Sequence, residues 1–475
     1  MTTQNTRIVK TFYYGLFNFL NIFIGKYLLY PILIFFWKIE IFNDWILITN
    51  IALQFALLDF GSKTYIGNRL AEKKINIIRK YFKYLILINI TSLILIFVFL
   101  LGYLHFFFNY NFYNMTVGSS DFMILIICNI FILVINIFVG TYGDAILRPL
   151  GLLYKYQKID FFFNLSLNLI LIGSVYIGAG IIGFSLIQII LHAVKIIFIK
   201  YYCDKYSSPT QFPLKGNLIK YKVLKNIIFN SFFFYIGNMI NIIQNSTFVL
   251  LGARGMGIAN IGFFILYRTV SNFSNQLQNF ISSAFYYEYT RKKYYIINEK
   301  INLFIFQLKL SNNITLIINF IILMSAEKIF SVWLKGELIF NYNVFLSLII
   351  ASIIKNYSNS LLNYLLAKNK QRNINKNILI FSLFFLIPCY YLSKTYGILG
   401  LSLMYIGYEL GCLMILLRQF FILKTDKFDR KLFIIEIFKI SIFFLFFLTS
   451  YYSILLAFIY FVIEINYYLK KFKKI

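Results

Sequence analysis

The sequence predicts an all-α polytopic membrane protein of about 14 transmembrane helices, and three observations predict it. The first is composition. Of 475 residues, 60% are hydrophobic and 20% aromatic, with a mean hydropathy of +0.75. A soluble domain has roughly 45–50% apolar residues. The second is run length. The apolar segments are long enough to cross about 30 Å of hydrocarbon at 1.5 Å per residue. The third is the placement of charge. Of 46 Lys and Arg, 38 fall on one side of the expected helices and 5 on the other. That asymmetry puts both termini in the cytoplasm and requires an even number of spans.

The spans follow in order. The first, 12–36, carries Gly15, Asn18, Asn21, Gly25 and Lys26 on one face, and Pro31 removes a backbone hydrogen bond and bends it. The second is 43–66 and the third 82–108. The longest outer loop, about 105–120, leads to the fourth, 121–147, with Asn129, Asn136, Gly140, Gly143 and Asp144 aligned. The fifth and sixth are 160–178 and 180–201. The inner segment 204–225 contains Pro209 and Pro213 and reads as a linker. The seventh, 226–251, has a stripe of Asn230, Ser231, Asn238, Asn241 and Asn245. The eighth is 257–286 and the ninth 302–325. The tenth, 338–366, aligns Ser352, Lys355, Asn356, Asn359 and Asn363. The last four are 375–394, 397–421, 432–450 and 452–469.

The expected organisation is a six-helix lobe over 1–203, the linker 204–225, a second six-helix lobe over 226–422, and two further helices with a basic tail over 423–475. A repeat supports the division. Gly180-Ile-Ile-Gly-Phe-Ser-Leu186 matches Gly397-Ile-Leu-Gly-Leu-Ser-Leu403, 217 residues on. Each half then starts from the inside, so the halves are parallel repeats. In that register His192 aligns with Glu409.

The net charge of +29 would suggest nucleic-acid binding in a soluble protein. Here it lies in inner loops facing anionic lipid head groups, and no nucleic-acid partner is expected. Cys128, Cys203, Cys389 and Cys412 form no CxxC, so neither a disulfide framework nor a zinc site is expected. No cofactor and no cleavable leader is expected.

The chemistry concentrates on the eighth span. Stepping 100° per residue from Arg268, the residues Ser271, Asn272, Asn275, Gln276, Gln278, Asn279, Ser282 and Ser283 share its face. A charge at the bilayer centre costs roughly 2.5–3.5 kcal/mol on insertion scales, so this stripe must face protein or a water-filled cavity. Aligned polar faces on the first, fourth, seventh, eighth and tenth spans point to a shared hydrated interior. Interhelical hydrogen bonding is the bland alternative for any single Asn.

Three cations, Lys26, Arg268 and Lys355, lie at mid-depth, and Glu409 is the clearest acid there. An excess of positive charge suits a phosphate or pyrophosphate, which Arg grips with a planar fork and Lys meets as a point charge. The expected substrate-binding residues are Lys26, Arg268, Lys355, Asn272, Asn275, Asn279, Asn241 and Asn359. The amides suit sugar hydroxyls. Glu409, Asp59, His192 and Asp144 are candidates for coupling to H+ or Na+. An ion pair of Arg268 with Glu409 is the structural alternative. Glu40 and Asp44 in the first outer loop would be the site if the chain were instead a polytopic glycosyltransferase or polymerase.

Further strings carry a resemblance: Leu57-Leu-Asp-Phe-Gly61 with Asn68-Arg-Leu-Ala71, Tyr267-Arg268 with Asn272 and Gln276, Val332-Trp-Leu334, Leu366-Ala-Lys-Asn-Lys370, and Gly397-Ile-Leu-Gly400. On these, over about 10–470, the chain resembles the multidrug/oligosaccharidyl-lipid/polysaccharide exporter superfamily, and within it the Wzx-type flippases for O-antigen and similar repeat units. Phe42-Asn-Asp-Trp45 departs from the Tyr-Gly-x-Trp-like string common there.

The resemblance implies two six-helix lobes around a central cavity in a bacterial inner membrane. It implies a non-enzymatic flippase moving undecaprenyl-pyrophosphate-linked oligosaccharide to the periplasmic leaflet by alternating access, with membrane lipids and a polysaccharide polymerase as further partners. An ion-coupled multidrug antiporter or a lipid II flippase of the same superfamily are the alternatives.

Overall fold

In a computed structural model of the chain, residues 17, 19–55, 61–62, 65–66, 84–91, 93–95, 98, 115–143, 147, 153–207, 221–290, 297–334, 340–367 and 371–422 are described. Helix dominates them and strands are absent among them. In chain order the elements are a π turn at Ile24–Leu28, α1 (Leu29–Gln54), α2 (Ser119–Tyr142), α3 (Leu153–Tyr176), α4 (Ile181–Ser207), α5 (Tyr221–Ile242), a second π turn at Ile243–Thr247, and α6 (Phe248–Met256). There follow α7 (Ala259–Ser271), α8 (Phe273–Thr290), α9 (Ile297–Leu334), α10 (Tyr342–Ala367), α11 (Gln371–Phe384) and α12 (Leu386–Ile422).

Eight described helical stretches are long and apolar enough to cross a membrane. The all-α, multi-pass class expected from the sequence is therefore what the chain adopts. The stretch α7–α8 is not among the eight, because the polar residues of the eighth span lower its hydropathy. The expected thirteenth and fourteenth spans lie outside the described residues.

Where the sequence predicts two spans, 12–36 and 43–66, the helix is nearly continuous and breaks at one residue. Lys38 stands at φ 64°, ψ 164° inside α1. The expected eleventh and twelfth spans are likewise parted only at Gly397, at φ 58°, ψ −134° within α12. The expected eighth span is cut at Asn272. Helical hydrogen bonding nevertheless runs through the cut, from Asn272 N–H to the Arg268 carbonyl at 3.0 Å and from Gln276 N–H to the Asn272 carbonyl at 3.1 Å.

Three backbone features recur at one spacing. The π turn beginning at Ile24 returns at Ile243. The positive φ of Lys38 returns at Gly257, whose φ and ψ are 85° and 153°. The positive φ of Gly178 returns at Gly397. Each pair is 219 residues apart (24 to 243, 38 to 257, 178 to 397). The register suggested by the glycine strings is therefore two residues short, and His192 falls opposite Gly411 rather than Glu409.

Both π turns are braced. An i→i+5 turn carries an extra residue and disturbs the regular ladder. At the first, the Asn21 amide donates to the Phe161 carbonyl at 2.7 Å, and the Asn168 amide donates to the Asn21 carbonyl at 3.0 Å. At the second, Ser246 donates to the Asn50 carbonyl at 2.6 Å and receives the Gln54 amide at 2.7 Å.

The Lys38 conformation lies in a region that is essentially restricted to Gly and costs an ordinary residue about 1–3 kcal/mol. The repeat supplies the Gly at 257. We therefore expect Lys38→Gly to stabilise the protein by about 1–2 kcal/mol, read as a higher thermal unfolding midpoint of the detergent-solubilised chain. An unchanged or lower midpoint would contradict the strain.

By its contacts the chain divides into two compact units. One comprises Val9–Phe264 with Asn375–Gly400. The other comprises Met1–Ile8, Ile265–Ile374 and Leu401–Ile475.

Candidate functional site

The second of these units holds the site, and its position follows from Tyr267. That ring is 2% exposed and sits among Phe330, Phe340 and Phe345 with ring centroids 4.8, 5.9 and 6.2 Å away. Its hydroxyl accepts the Asn341 N–H at 2.8 Å. Burial of so large a side chain fixes α7 against α9 and the start of α10. One residue on, 100° around the helix, Arg268 is turned out of that aromatic cluster.

Arg268, Ser271, Asn272, Leu348, Ala351, Ser352, Lys355, Tyr405 and Glu409 line a small, partly open pocket. The Arg268 guanidinium lies over the Tyr405 ring, 4.8 Å from its centroid. The Lys355 ammonium is 3.8 Å from Glu409 Oε1, with the lysine side chain 20% and the glutamate 5% exposed. That separation is longer than a charge-assisted hydrogen bond of about 2.7–2.9 Å. The pocket therefore carries two cations against one acid, with hydroxyl and amide groups beside them.

Below the pocket the polar stripe does something else. Ser274 shares a hydrogen with Ser352 at 3.0 Å. The Asn275 amide donates to Ser352 and to Asn272, each at 2.9 Å. The Gln278 amide donates to the Asn356 carbonyl at 2.7 Å and to Ser360 at 2.8 Å. Gln307 of α9 donates to Ser282 at 2.9 Å. These residues are buried and zip α8 to α10 and α9. For Asn275 the interhelical alternative is the observed use of the amide. Asn359 is half-buried and donates to exposed Asn279 at 3.3 Å.

The structure thus brings Arg268, Asn272, Lys355 and Glu409 into one pocket and places Asn275, Asn279 and Asn359 along the adjoining helix seam. Lys26 is exposed in the first π turn, Asn241 is exposed near the end of α5, and His192 is half-buried on α4; all three belong to the other unit. Among the described residues the buried Nδ1 of His192 meets no hydrogen-bond partner. Asp59 and Asp144 lie outside the described residues.

Two residues behave in ways not expected from the sequence. Asp44, a candidate for an enzyme site, is buried at 1% exposure. Its Oδ2 accepts three hydrogen bonds, from Thr116 N–H at 2.8 Å, Thr116 Oγ1 at 2.6 Å and Val117 N–H at 2.9 Å. It is a fastener for the chain entering α2. Lys195, counted with the inner-loop charges, is buried in α4. Its ammonium meets Asp160 Oδ1 at 2.6 Å and Asn164 Oδ1 at 2.9 Å. Asp160, Asn164 and Asn168 form an i, i+4, i+8 ladder on α3, and that spacing was a readable signal in the fifth span.

No protein-family model and no curated protein sequence matches the chain. Solved structures do match in fold. The lipid II flippase MurJ, in an inward-closed conformation, aligns at a TM-score of 0.60 and 13% identity over 99% of each chain. An outward-facing multidrug-resistance MATE-family transporter of the MOP superfamily aligns at 0.60 and 16% identity, over 90% of this chain and 97% of that one. A MOP-superfamily transporter from Pyrococcus furiosus, described as having a binding pocket of reverse polarity that suggests a different function, aligns at 0.51 and 14% identity over 93% and 99%. The chain shares the fold of these solved membrane proteins.

Proposed function

We propose that the chain is a flippase that moves undecaprenyl-pyrophosphate-linked oligosaccharide repeat units, of O-antigen, capsule or a similar surface polysaccharide, from the cytoplasmic to the periplasmic leaflet of a bacterial inner membrane. The observation that carries this reading is the pocket in which Arg268 and Lys355 outnumber Glu409. A pyrophosphate diester bears one negative charge on each phosphoryl group. Two cations match that charge, and Asn272 beside them offers an amide to the first sugar.

Alternating access of two six-helix lobes carries the head group, while the lipid tail stays in the bilayer. The 38:5 split of basic residues supports cytoplasmic termini and 14 spans in all. The chain performs no covalent step, and a polysaccharide polymerase consumes its product. A multidrug antiporter for cationic compounds would need an acidic pocket, and this one has the opposite balance.

The deciding experiment reconstitutes the purified chain in liposomes with a fluorescent polyprenyl-pyrophosphate-linked trisaccharide. The expected result is protein-dependent transfer between leaflets, with binding competed by inorganic pyrophosphate. Saturable binding of a cationic dye such as rhodamine 6G, with no transfer of the lipid-linked sugar, would overturn the proposal in favour of the antiporter.

A further inference from the structure

We propose that the open edge of the seam between α8 and α10 is a second subsite, where Gln276, Asn279, Asn359 and Asn363 bind the uncharged sugars that follow the pyrophosphate. The proposal rests on the pyrophosphate reading above and names what the rest of the head group touches.

The two helices leave the pocket side by side and in the same direction. Ser274 pairs with Ser352, Gln278 with the Asn356 carbonyl and Ser360, and Asn279 with Asn359. Each step along α8 is therefore matched by an equal step along α10. Helical phase continues the walls of the pocket. Asn272, Gln276 and Asn279 follow Arg268 on one face, and Asn359 and Asn363 follow Lys355 at i+4 and i+8. From Arg268 to Asn279 is about 16 Å at 1.5 Å per residue, length for a short oligosaccharide.

The seam has a tight side and a slack edge. On the buried side Gln278 donates at 2.7 and 2.8 Å, and Asn275 reaches Ser352 at 2.9 Å. At the edge, half-buried Asn359 donates to exposed Asn279 at 3.3 Å and to Gln278 Oε1 at 3.5 Å. An ordinary N–H···O bond is about 2.9–3.0 Å. Half-buried Gln276 keeps a buried acceptor, Oε1, with no hydrogen-bond partner among the described residues. Exposed Asn279 lies in the expected eighth span, where polar groups face water or protein rather than lipid.

Each of these amides carries two donor hydrogens and an acceptor, the complement of the hydroxyl and acetamido groups of a sugar. Long or unmade bonds cost little to exchange for a ligand's. Charge sets the class. No residue between Arg268 and Glu288, and none between Lys355 and Ala367, is charged. A carboxylate on a sugar held there would lose its water without gaining a cation, so the strip selects uncharged sugars.

The probes are three farnesyl-pyrophosphate diesters. They carry N-acetylglucosamine, a neutral trisaccharide, or the same trisaccharide ending in a hexuronic acid. Calorimetry with the full chain in detergent gives the affinities. The wild type is expected to bind the neutral trisaccharide about tenfold more tightly than the monosaccharide, the effect of one or two neutral hydrogen bonds. It is expected to bind the acidic trisaccharide several-fold more weakly than the neutral one. The double variant Asn279→Ala, Asn359→Ala is expected to lose the tenfold gain and to bind the monosaccharide diester as the wild type does, which also shows that it is folded. Equal wild-type affinity for the monosaccharide and the neutral trisaccharide, or a gain that survives in the double variant, overturns the sugar subsite and leaves the pyrophosphate pocket standing. Loss of the monosaccharide diester as well would assign the two amides to the scaffold and overturn it too. Equal affinity for the neutral and acidic trisaccharides overturns the selection for uncharged sugars. Failure of the wild type to bind any of the diesters overturns the pyrophosphate reading and the subsite together.

Discussion

Arg268→Ala abolishes surface-polysaccharide assembly in cells relying on this chain alone, while the protein stays in the membrane at its normal level. The guanidinium lies over Tyr405 and lines a pocket with Lys355 and Glu409. Its removal deletes a charge-assisted fork worth about 1.5–3 kcal/mol of ligand binding, roughly 10- to 150-fold in affinity. Arg268→Lys keeps the charge and loses both the fork and the stack on Tyr405, so it retains a fraction of the function. Immunoblotting of membranes and staining of surface polysaccharide separate the outcomes. Normal polysaccharide in the alanine variant would remove Arg268 from the site, and loss of the protein itself would assign the side chain to folding.

Asp44→Ala acts on the fold. One buried carboxylate oxygen receives two backbone N–H groups and a hydroxyl. Alanine leaves the buried Val117 N–H without its acceptor, at about 1–3 kcal/mol, while the two donors of exposed Thr116 turn to water. We expect a loss of roughly 1–3 kcal/mol in total, seen as a lower unfolding midpoint. Asp44→Asn keeps one acceptor oxygen and falls between the two. A midpoint unchanged in the alanine variant would show that Asp44 is no fastener.

The contrast between these two acids shows what a sequence displays and what it hides. Length and apolarity display the helices, since crossing hydrocarbon is a one-dimensional requirement. The polar face of the eighth span is equally visible, because helical phase follows from spacing. Which amide on that face meets a neighbouring helix is a three-dimensional matter. Asn272 reaches the pocket, while Asn275 and Gln278 spend their donors on Ser352, the Asn356 carbonyl and Ser360.

Asp44 looked like a loop acid because the sequence places a loop around Lys38, where the chain in fact makes a one-residue break. A lysine in a glycine conformation leaves no trace in composition or periodicity. Lys195 was hidden by a different cause. A basic residue near a helix end counts toward the inner side whether it is solvated or paired, and only the ladder on α3 reveals its partner.

The 219-residue recurrence of hinge and kink also has an electrical side. Counting back along the unbroken helices that follow Lys38 and Gly178, the position matching Arg268 is Thr49 and the position matching Glu409 is Ile190. The twin architecture is therefore mechanical only: one copy carries the counter-charges and the other is neutral at those places. The recurrence is thus one of backbone, and the charges that line the pocket come from the second copy alone.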